Sequence, residues 1–82
     1  MKKRIHAGYC VIKVIALPDE EFVLGVKTIN TKKEYVTWYC INKTNYYHGH
    51  YFSDYKLAFR DLFERAQKSI KWTLTNLLSN QI

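Results

Sequence analysis

Two histidines near the middle of the chain, His48 and His50, come closest to a chemical site by residue type and spacing. They flank Gly49, so in an extended strand both imidazoles project from the same face, a spacing that can hold a transition metal. A metal site needs at least one further ligand, and the sequence does not fix His6 or Cys10 nearby. We therefore expect partly exposed histidines in an aromatic cluster, with no metal and no cofactor.

Other catalytic patterns are absent from the sequence, which has no glycine-rich phosphate loop and no nucleophile with an orienting acid and base. Its acidic residues are accounted for by a turn, a helix start and ion pairs at four-residue spacing on the outer face of the helix, Arg60/Glu64, Glu64/Lys68 and Asp61/Arg65. Cys10 and Cys40 lie in apolar runs and are interpreted as buried free thiols, with a disulfide between neighbouring strands as the alternative. The sequence thus predicts a protein that is not an enzyme.

Length and composition indicate one small globular domain. The chain has 82 residues, of which 48% are hydrophobic, so it can bury a modest core. No run approaches the roughly 18 apolar residues that span a bilayer, and the N-terminus is too polar for a signal peptide, which favours a cytoplasmic protein without membrane contact. The net charge of +6 favours an anionic partner.

Hydrophobic periodicity predicts the elements that carry these residues. Residues 1–8 have no periodic pattern and are interpreted as a mobile basic arm. The remainder, residues 9–82, is predicted to form a single α+β domain of ββββα order, in which a four-stranded antiparallel meander packs one face against a long C-terminal helix. The predicted strands cover residues 9–16, 22–29, 34–41 and 46–52.

The helix is predicted to run from Asp54 to about Ser79, because Ser53 and Asp54 are a capping signal for a helix start and apolar residues recur after them at helical spacing. Such a helix is on the order of 39 Å long, whereas strands of seven or eight residues span roughly 25 Å. Its last turns are therefore expected to overhang the sheet unless the helix breaks. The apolar residues there are predicted to fold onto the sheet edge or to meet a partner, with dimer contacts at Trp72, Leu74, Leu77 and Leu78.

One helix covers one face of a sheet, whereas the predicted strands are apolar on both faces. The second face would then be open to stack single-stranded bases, to bury a protein partner or to pair with a second copy. Ordinary β-propensity is the alternative reason for its tyrosines. The predicted core is Cys10, Ile12, Val14, Leu24, Val26, Val36, Trp38, Cys40, Tyr47 and Tyr51. The predicted binding residues on the open face are Tyr9, Lys13, Lys27, Tyr35, Thr37, Tyr39, His48 and His50.

A second candidate surface is basic. It combines the N-terminal arm with a stripe on the outer side of the helix, and both could contact phosphates or an acidic protein face. Ordinary solvation of the cations is the alternative. The residues of this surface are Lys2, Lys3 and Arg4 in the arm and Lys56, Arg60, Lys68 and Lys71 on the helix.

Three stretches within residues 35–65 form a recognisable pattern: YVTW at 35–38, YYHGHY at 46–51, and a helix start with Asp54, Ala58, Arg60-Asp61 and Glu64-Arg65. The pattern resembles short proteins encoded on phages and integrative elements of Firmicutes, in which tryptophan stands at the position of His48. These proteins carry no assigned chemistry. The resemblance implies a setting in which small non-enzymatic proteins bind host or defence proteins, anti-CRISPR inhibitors being one group.

The leading hypothesis is thus a mobile-element accessory protein in a bacterial cytoplasm. It would bind a host protein or protein–nucleic acid complex in fixed stoichiometry, with inhibition of a defence system such as CRISPR–Cas as its role. One alternative is a basic domain that binds nucleic acid directly, and another is a homodimer with a structural or regulatory role.

Overall fold

A computed structural model describes residues 3–79, with only the backbone at Ser79. Neighbouring strands are antiparallel and follow one another in chain order across a single curled sheet. The elements are β1 (Ile5–His6), β2 (Tyr9–Ala16), β3 (Glu21–Ile29), β4 (Lys32–Ile41), β5 (Asn45–Phe52) and α1 (Tyr55–Ser79). The α+β class with one long C-terminal helix is confirmed, and the number of strands is five rather than the predicted four.

The additional strand lies in the segment predicted to be a mobile arm. Ile5 pairs with Cys10 and His6 pairs with Tyr9, across a two-residue turn formed by Ala7 and Gly8. Both turn residues have positive φ, 51° and 84°, as hairpin turns that match strand twist require. The arm interpretation is therefore wrong for residues 5–8, because a strand of two residues is too short to show alternation.

Helix α1 begins where its capping signal predicts. The backbone N–H of Lys56 donates to Oδ1 of Asp54 at 2.8 Å, which satisfies one of the free donors at the helix N-terminus. The helix then crosses β3, β4 and β5 and buries Ala58, Leu62 and Ala66 against them. Within residues 3–79, neither α1 nor any other helix combines the length and apolar character needed to cross a membrane.

The sheet has a core on each face. The core under α1 joins Phe22 and Leu24 to the buried helix residues. The core on the opposite face, here called the inner face, is formed by Tyr9, Val23, Val36, Trp38 and Cys40. Burial on the inner face comes from curling of the sheet itself, because His6 of one edge strand stacks on Tyr46 of the other edge strand at 4.0 Å.

Two β-bulges reverse the predicted faces. In β2, Val11 faces Gly25 and Lys13 faces Leu24, so Ile12 is an extra residue. An extra residue shifts the side-chain alternation beyond it to the opposite face of the sheet. The predicted core is wrong for Ile12 and Val14, which are exposed in this strand. It is also wrong for Tyr47 and Tyr51 of β5, which are exposed as well.

The remaining predicted core residues are divided between the two faces. Leu24 is buried under α1, whereas Val36, Trp38 and Cys40 are buried on the inner face. The other two, Cys10 and Val26, are half-buried.

The second bulge lies in β5. Thr37 faces His50 and Tyr39 faces Tyr47, so both His48 and Gly49 lie opposite a single residue of β4. His48 has a φ of 54°. Regular strand alternation consequently does not relate the two histidines, so the spacing of His48 and His50 no longer indicates that they project from the same face.

Candidate functional site

The N-terminal segment covers the inner face of the sheet. Arg4 donates from Nη2 to Oε1 of Glu21 at 2.6 Å and from Nε to the hydroxyl of Tyr46 at 2.8 Å. His6 stacks on the same tyrosine and meets Trp38 edge-on, with ring centroids 5.0 Å apart. The prediction of an open sheet face is therefore wrong, because the chain fills that face with its own side chains.

Arg4 is thus a structural residue rather than a free cation of a basic arm. Lys3 is exposed, and Lys2 lies outside the described residues. Arg4 also donates to Sγ of Cys40 at 3.2 Å, and burial raises the pKa of that thiol. Both cysteines are free thiols, Cys40 buried and Cys10 half-buried.

Two predicted open-face residues, Tyr9 and Lys27, take part in the inner core or cover it. Tyr9 is 6% exposed and donates its hydroxyl to Oε2 of Glu34 at 2.5 Å. Burial, together with this hydrogen bond, raises the pKa of Tyr9 to about 12. Lys27 places Nζ 5.0 Å from the centroid of the Tyr9 ring, a cation–π contact. Neither face of Tyr9 is therefore free to stack on a base.

Thr37 and His50 lie on the side of the sheet that faces α1. Thr37 is fully buried and donates from Oγ1 to Oδ2 of Asp61 at 2.5 Å. Nδ1 of His50 is 2.9 Å from the same carboxylate oxygen. Arg65 donates from Nη1 to the carbonyl oxygen of Thr37 at 3.0 Å and to its hydroxyl at 3.1 Å, and burial lowers the pKa of Arg65. We call these four residues the sheet–helix cluster.

The sheet–helix cluster joins all three stretches of the pattern identified in the sequence. Thr37 comes from the first, His50 from the second, and Asp61 and Arg65 from the helix. A histidine oriented by a carboxylate can act as a base or a metal ligand. Among the described residues, however, no group of three metal-ligating side chains exists, and His50 forms hydrogen bonds with Asp61 alone. The cluster is arranged to fix α1 on β4 and β5.

The remaining predicted open-face residues are scattered. Tyr35 and Tyr39 pack under α1, against Tyr55 and Phe22, with ring centroids 5.5 Å apart in each pair. Lys13 and His48 are exposed, at separate places in the sheet. The structure therefore does not bring the eight predicted residues together in one surface.

The predicted helix stripe is preserved as a surface, which we call the basic face: Lys56, Arg60, Lys68 and Lys71, all exposed. No acidic residue follows Glu64 in the sequence. The four cations span 15 residues of helix, or about 22 Å. The basic face is therefore a cationic strip on the outer side of α1, interrupted by the exposed carboxylate of Glu64, which lies four residues from both Arg60 and Lys68.

The C-terminal end of α1 projects beyond the sheet, as the length comparison predicts. Every residue from 70 to 78 is exposed, including the four predicted dimer contacts, which range from 54% exposed at Leu74 to 69% at Trp72. A groove of about 420 Å³ lies between this end and the turn at residues 17–20. Glu20 at its rim is held by a hydrogen bond from Ser69.

Sequence reasoning missed the sheet–helix cluster. Asp61 and Arg65 are four residues apart and were interpreted as a surface ion pair. Each instead contacts Thr37, and the described residues contain no ion pair between them. A threonine inside an otherwise apolar, aromatic strand was the one available signal, because a buried hydroxyl needs a partner.

No protein-family model, curated protein or solved structure matches this chain.

Proposed function

We propose that this chain is a non-enzymatic accessory protein of a phage or integrative element, which binds a host macromolecule in fixed stoichiometry through the basic face of α1. A bacterial defence complex such as CRISPR–Cas is the target that the resemblance implies. The supporting observation is a charge imbalance among the described residues, in which three acidic residues are exposed, Asp19, Asp54 and Glu64. Nine cations are exposed: Lys3, Lys13, Lys32, Lys33, Lys43, Lys56, Arg60, Lys68 and Lys71.

The fold raises the ratio of cations to acids at the surface above the ratio of 13 to 7 in the whole sequence. Four carboxylates are withdrawn from the surface by hydrogen bonds to internal side chains: Glu20 to Ser69, Glu21 to Arg4, Glu34 to Tyr9 and Asp61 to Thr37. Three of these four donors are neutral, so these carboxylates do not form ion pairs with the exposed lysines and arginines. Three cations, Arg4, Lys27 and Arg65, are half-buried as well. The exposed described residues therefore keep the net charge of +6 that the whole sequence carries, but with three cations for each acid.

A cationic strip on a rigid helix favours a partner with an extended negative surface. Such a surface is offered by an acidic protein face or by nucleic acid bound within a complex, and charge complementarity would speed association with either. A mimic of DNA, which must itself be acidic, is excluded by the sign of the charge.

Capture from a bacterial host lysate tests the proposal with two variants of equal net charge. The first reverses the basic face with Lys56→Glu, Arg60→Glu, Lys68→Glu and Lys71→Glu, and the second makes Lys13→Glu, Lys32→Glu, Lys33→Glu and Lys43→Glu on the sheet. We expect a partner at a constant molar ratio that is lost with the first variant and retained with the second. Equal recovery with both variants would exclude the basic face as the contact surface.

Direct nucleic-acid binding is the second candidate, favoured by the spacing of four cations along one helix. It is tested with labelled single- and double-stranded DNA and RNA at about 50 mM and about 200 mM salt. Four phosphate contacts on duplex DNA predict about a 100-fold loss of affinity across that range. Absence of binding at the lower salt concentration removes this candidate, and nuclease treatment of the lysate shows whether a captured partner depends on nucleic acid.

A further inference from the structure

One flank of α1 carries an exposed apolar seam that none of the functions above uses. Phe63, Ile70 and Leu77 recur at seven-residue intervals, and they are 52%, 42% and 55% exposed. Leu74, 54% exposed, adjoins them. A seven-residue apolar repeat is the spacing with which helices pack side by side. At about 100° per residue, this seam lies beside the face of α1 that Leu62 buries against the sheet.

The charged residues of α1 lie away from the seam and do not obstruct contact along it. Between residues 63 and 78 the charged residues are Glu64, Arg65, Lys68 and Lys71. Each is rotated by about 100° or more around the helix from Ile70, so packing along the seam brings no like charges together. Across the groove beside Ile70 and Leu74 lie two acidic residues, Asp19 and Glu20, of which Glu20 is hydrogen-bonded to Ser69. The seam itself is apolar and is suited to an apolar partner rather than to the anionic partner of the basic face.

We infer that the occupant of this seam is a second copy of the chain, in a two-fold antiparallel helix pair centred on Ile70. Around that axis Ile70 meets its own counterpart and Phe63 of one copy meets Leu77 of the other, which makes the contact self-complementary. Each exposed helix end, residues 70–78, then lies beside residues 62–70 of the partner. The helix residues buried against the sheet, Ala58, Leu62 and Ala66, precede Ile70, so the two sheets lie toward opposite ends of the pair.

The area is that of a small specific interface. The four seam residues expose on the order of 400 Å² per copy, and the adjoining Gln67 and Thr73, also exposed, bring the total toward the 1,000 Å² or so that specific interfaces need. A helix end with no packed side is only marginally stable in water, so pairing also stabilises residues 70–78. Because the interface is small, the dimer is expected to dissociate at low concentration.

This inference deepens the proposed function, because the two-fold axis places the basic faces of both copies on the same outer side. One dimer then presents eight helix cations in a single surface, twice the length available to one copy. The proposed partner would be bound at one site per two chains.

Sedimentation velocity over a wide concentration range tests the dimer. We expect a monomer–dimer equilibrium that shifts at least tenfold toward monomer with Ile70→Asp, which sets two like charges opposite each other. Leu78→Asp is the matched control, since Leu78 is 65% exposed but lies on the outer side of α1. Monomer mass throughout, or equal effects of the two variants, would overturn the inference.

A cross-link gives a second test that does not depend on affinity. In a Cys10→Ser background, Ile70→Cys is expected to form a disulfide-linked dimer on mild oxidation, whereas Leu78→Cys is not. Equal cross-linking in both variants would contradict an axis at Ile70. If the protein is monomeric but the basic-face variant still loses its captured partner, the dimer fails and the proposed function stands. If the protein is dimeric but the basic-face variant still captures the partner, the dimer stands and the proposed function fails.

Discussion

Arg4 and Glu21 form an ion pair in which Nη2 lies 2.6 Å from Oε1, at the entrance to the inner face of the sheet. Glu21 is 8% exposed, so this pair holds a carboxylate that water cannot fully solvate. The same guanidinium donates to Tyr46 on the far edge strand. One side chain from the N-terminal segment therefore satisfies a buried charge and holds the two edges of the curled sheet together.

Removal of this guanidinium is predicted to destabilise the fold strongly. Arg4→Ala leaves Glu21 buried without its counter-ion, which costs about 3 kcal/mol of unfolding free energy. Lys3→Ala, at an exposed neighbouring position, should change it by less than about 0.5 kcal/mol. Urea denaturation followed by circular dichroism measures both. Adding Glu21→Gln to Arg4→Ala should restore part of the loss, and equal stability of Arg4→Ala and Lys3→Ala would show that the pair is dispensable.

Tyr9 predicts a distinct alkaline transition. Its pKa is raised to about 12 in the folded protein, whereas an unfolded tyrosine has a pKa of about 10. Folding therefore favours the protonated phenol, so this contribution to stability is complete below pH 10 and is lost as the pH rises toward 12. Tyr9→Phe should lower stability at neutral pH and flatten its decline between about pH 10 and 12. Tyr47→Phe, at an exposed position, is the control, and parallel pH profiles for wild type and Tyr9→Phe would refute the assignment.

The sheet–helix cluster predicts an unusual sensitivity at Thr37. Thr37→Val keeps the shape of the side chain but removes the hydroxyl that bonds to Asp61 and Arg65, which costs about 1–3 kcal/mol. Thr28→Val, at an exposed position of the neighbouring strand, should be nearly neutral, because both residues are β-branched and favour strands and the exposed hydroxyl is free to bond to water. Thermal unfolding of the two variants compares them directly. If both melt at the wild-type temperature, the cluster does not fix the helix.

The four longer strands and the helix could be predicted from the sequence, because each is long enough to show its own period. The two-residue strand β1 could not, since Ile5 and His6 show no alternation and their pairing depends on the turn at Ala7 and Gly8. The capping role of Asp54 was predictable because a short acidic side chain before an apolar repeat is a common helix start.

The faces of the sheet could not be predicted, for two reasons. A bulge changes the parity of a strand without a strong local signal. The register of β3 on β4, which has no bulge, places Leu24 opposite Thr37 rather than Val36, and local sequence does not set that register. Ile12 is an apolar residue in an apolar run, and nothing in its neighbourhood marks it as extra. At the second bulge, Gly49 inside a strand was a signal, since glycine there often accompanies irregular pairing. The basic face could be predicted without knowing the alternation of any strand. Helical spacing alone separates its residues from the buried side of α1.

The central claim is that the chain fills the inner face of its own sheet, so that contact with other molecules falls to the helix. Trp38, 5% exposed, reports on that face, and Trp72, 69% exposed, is the chain's other tryptophan. Acrylamide quenching of Trp38 fluorescence in a Trp72→Phe variant measures access to the inner face. We predict weak quenching in the native protein that rises sharply on unfolding in urea, whereas quenching as strong in the native as in the unfolded protein would contradict the account.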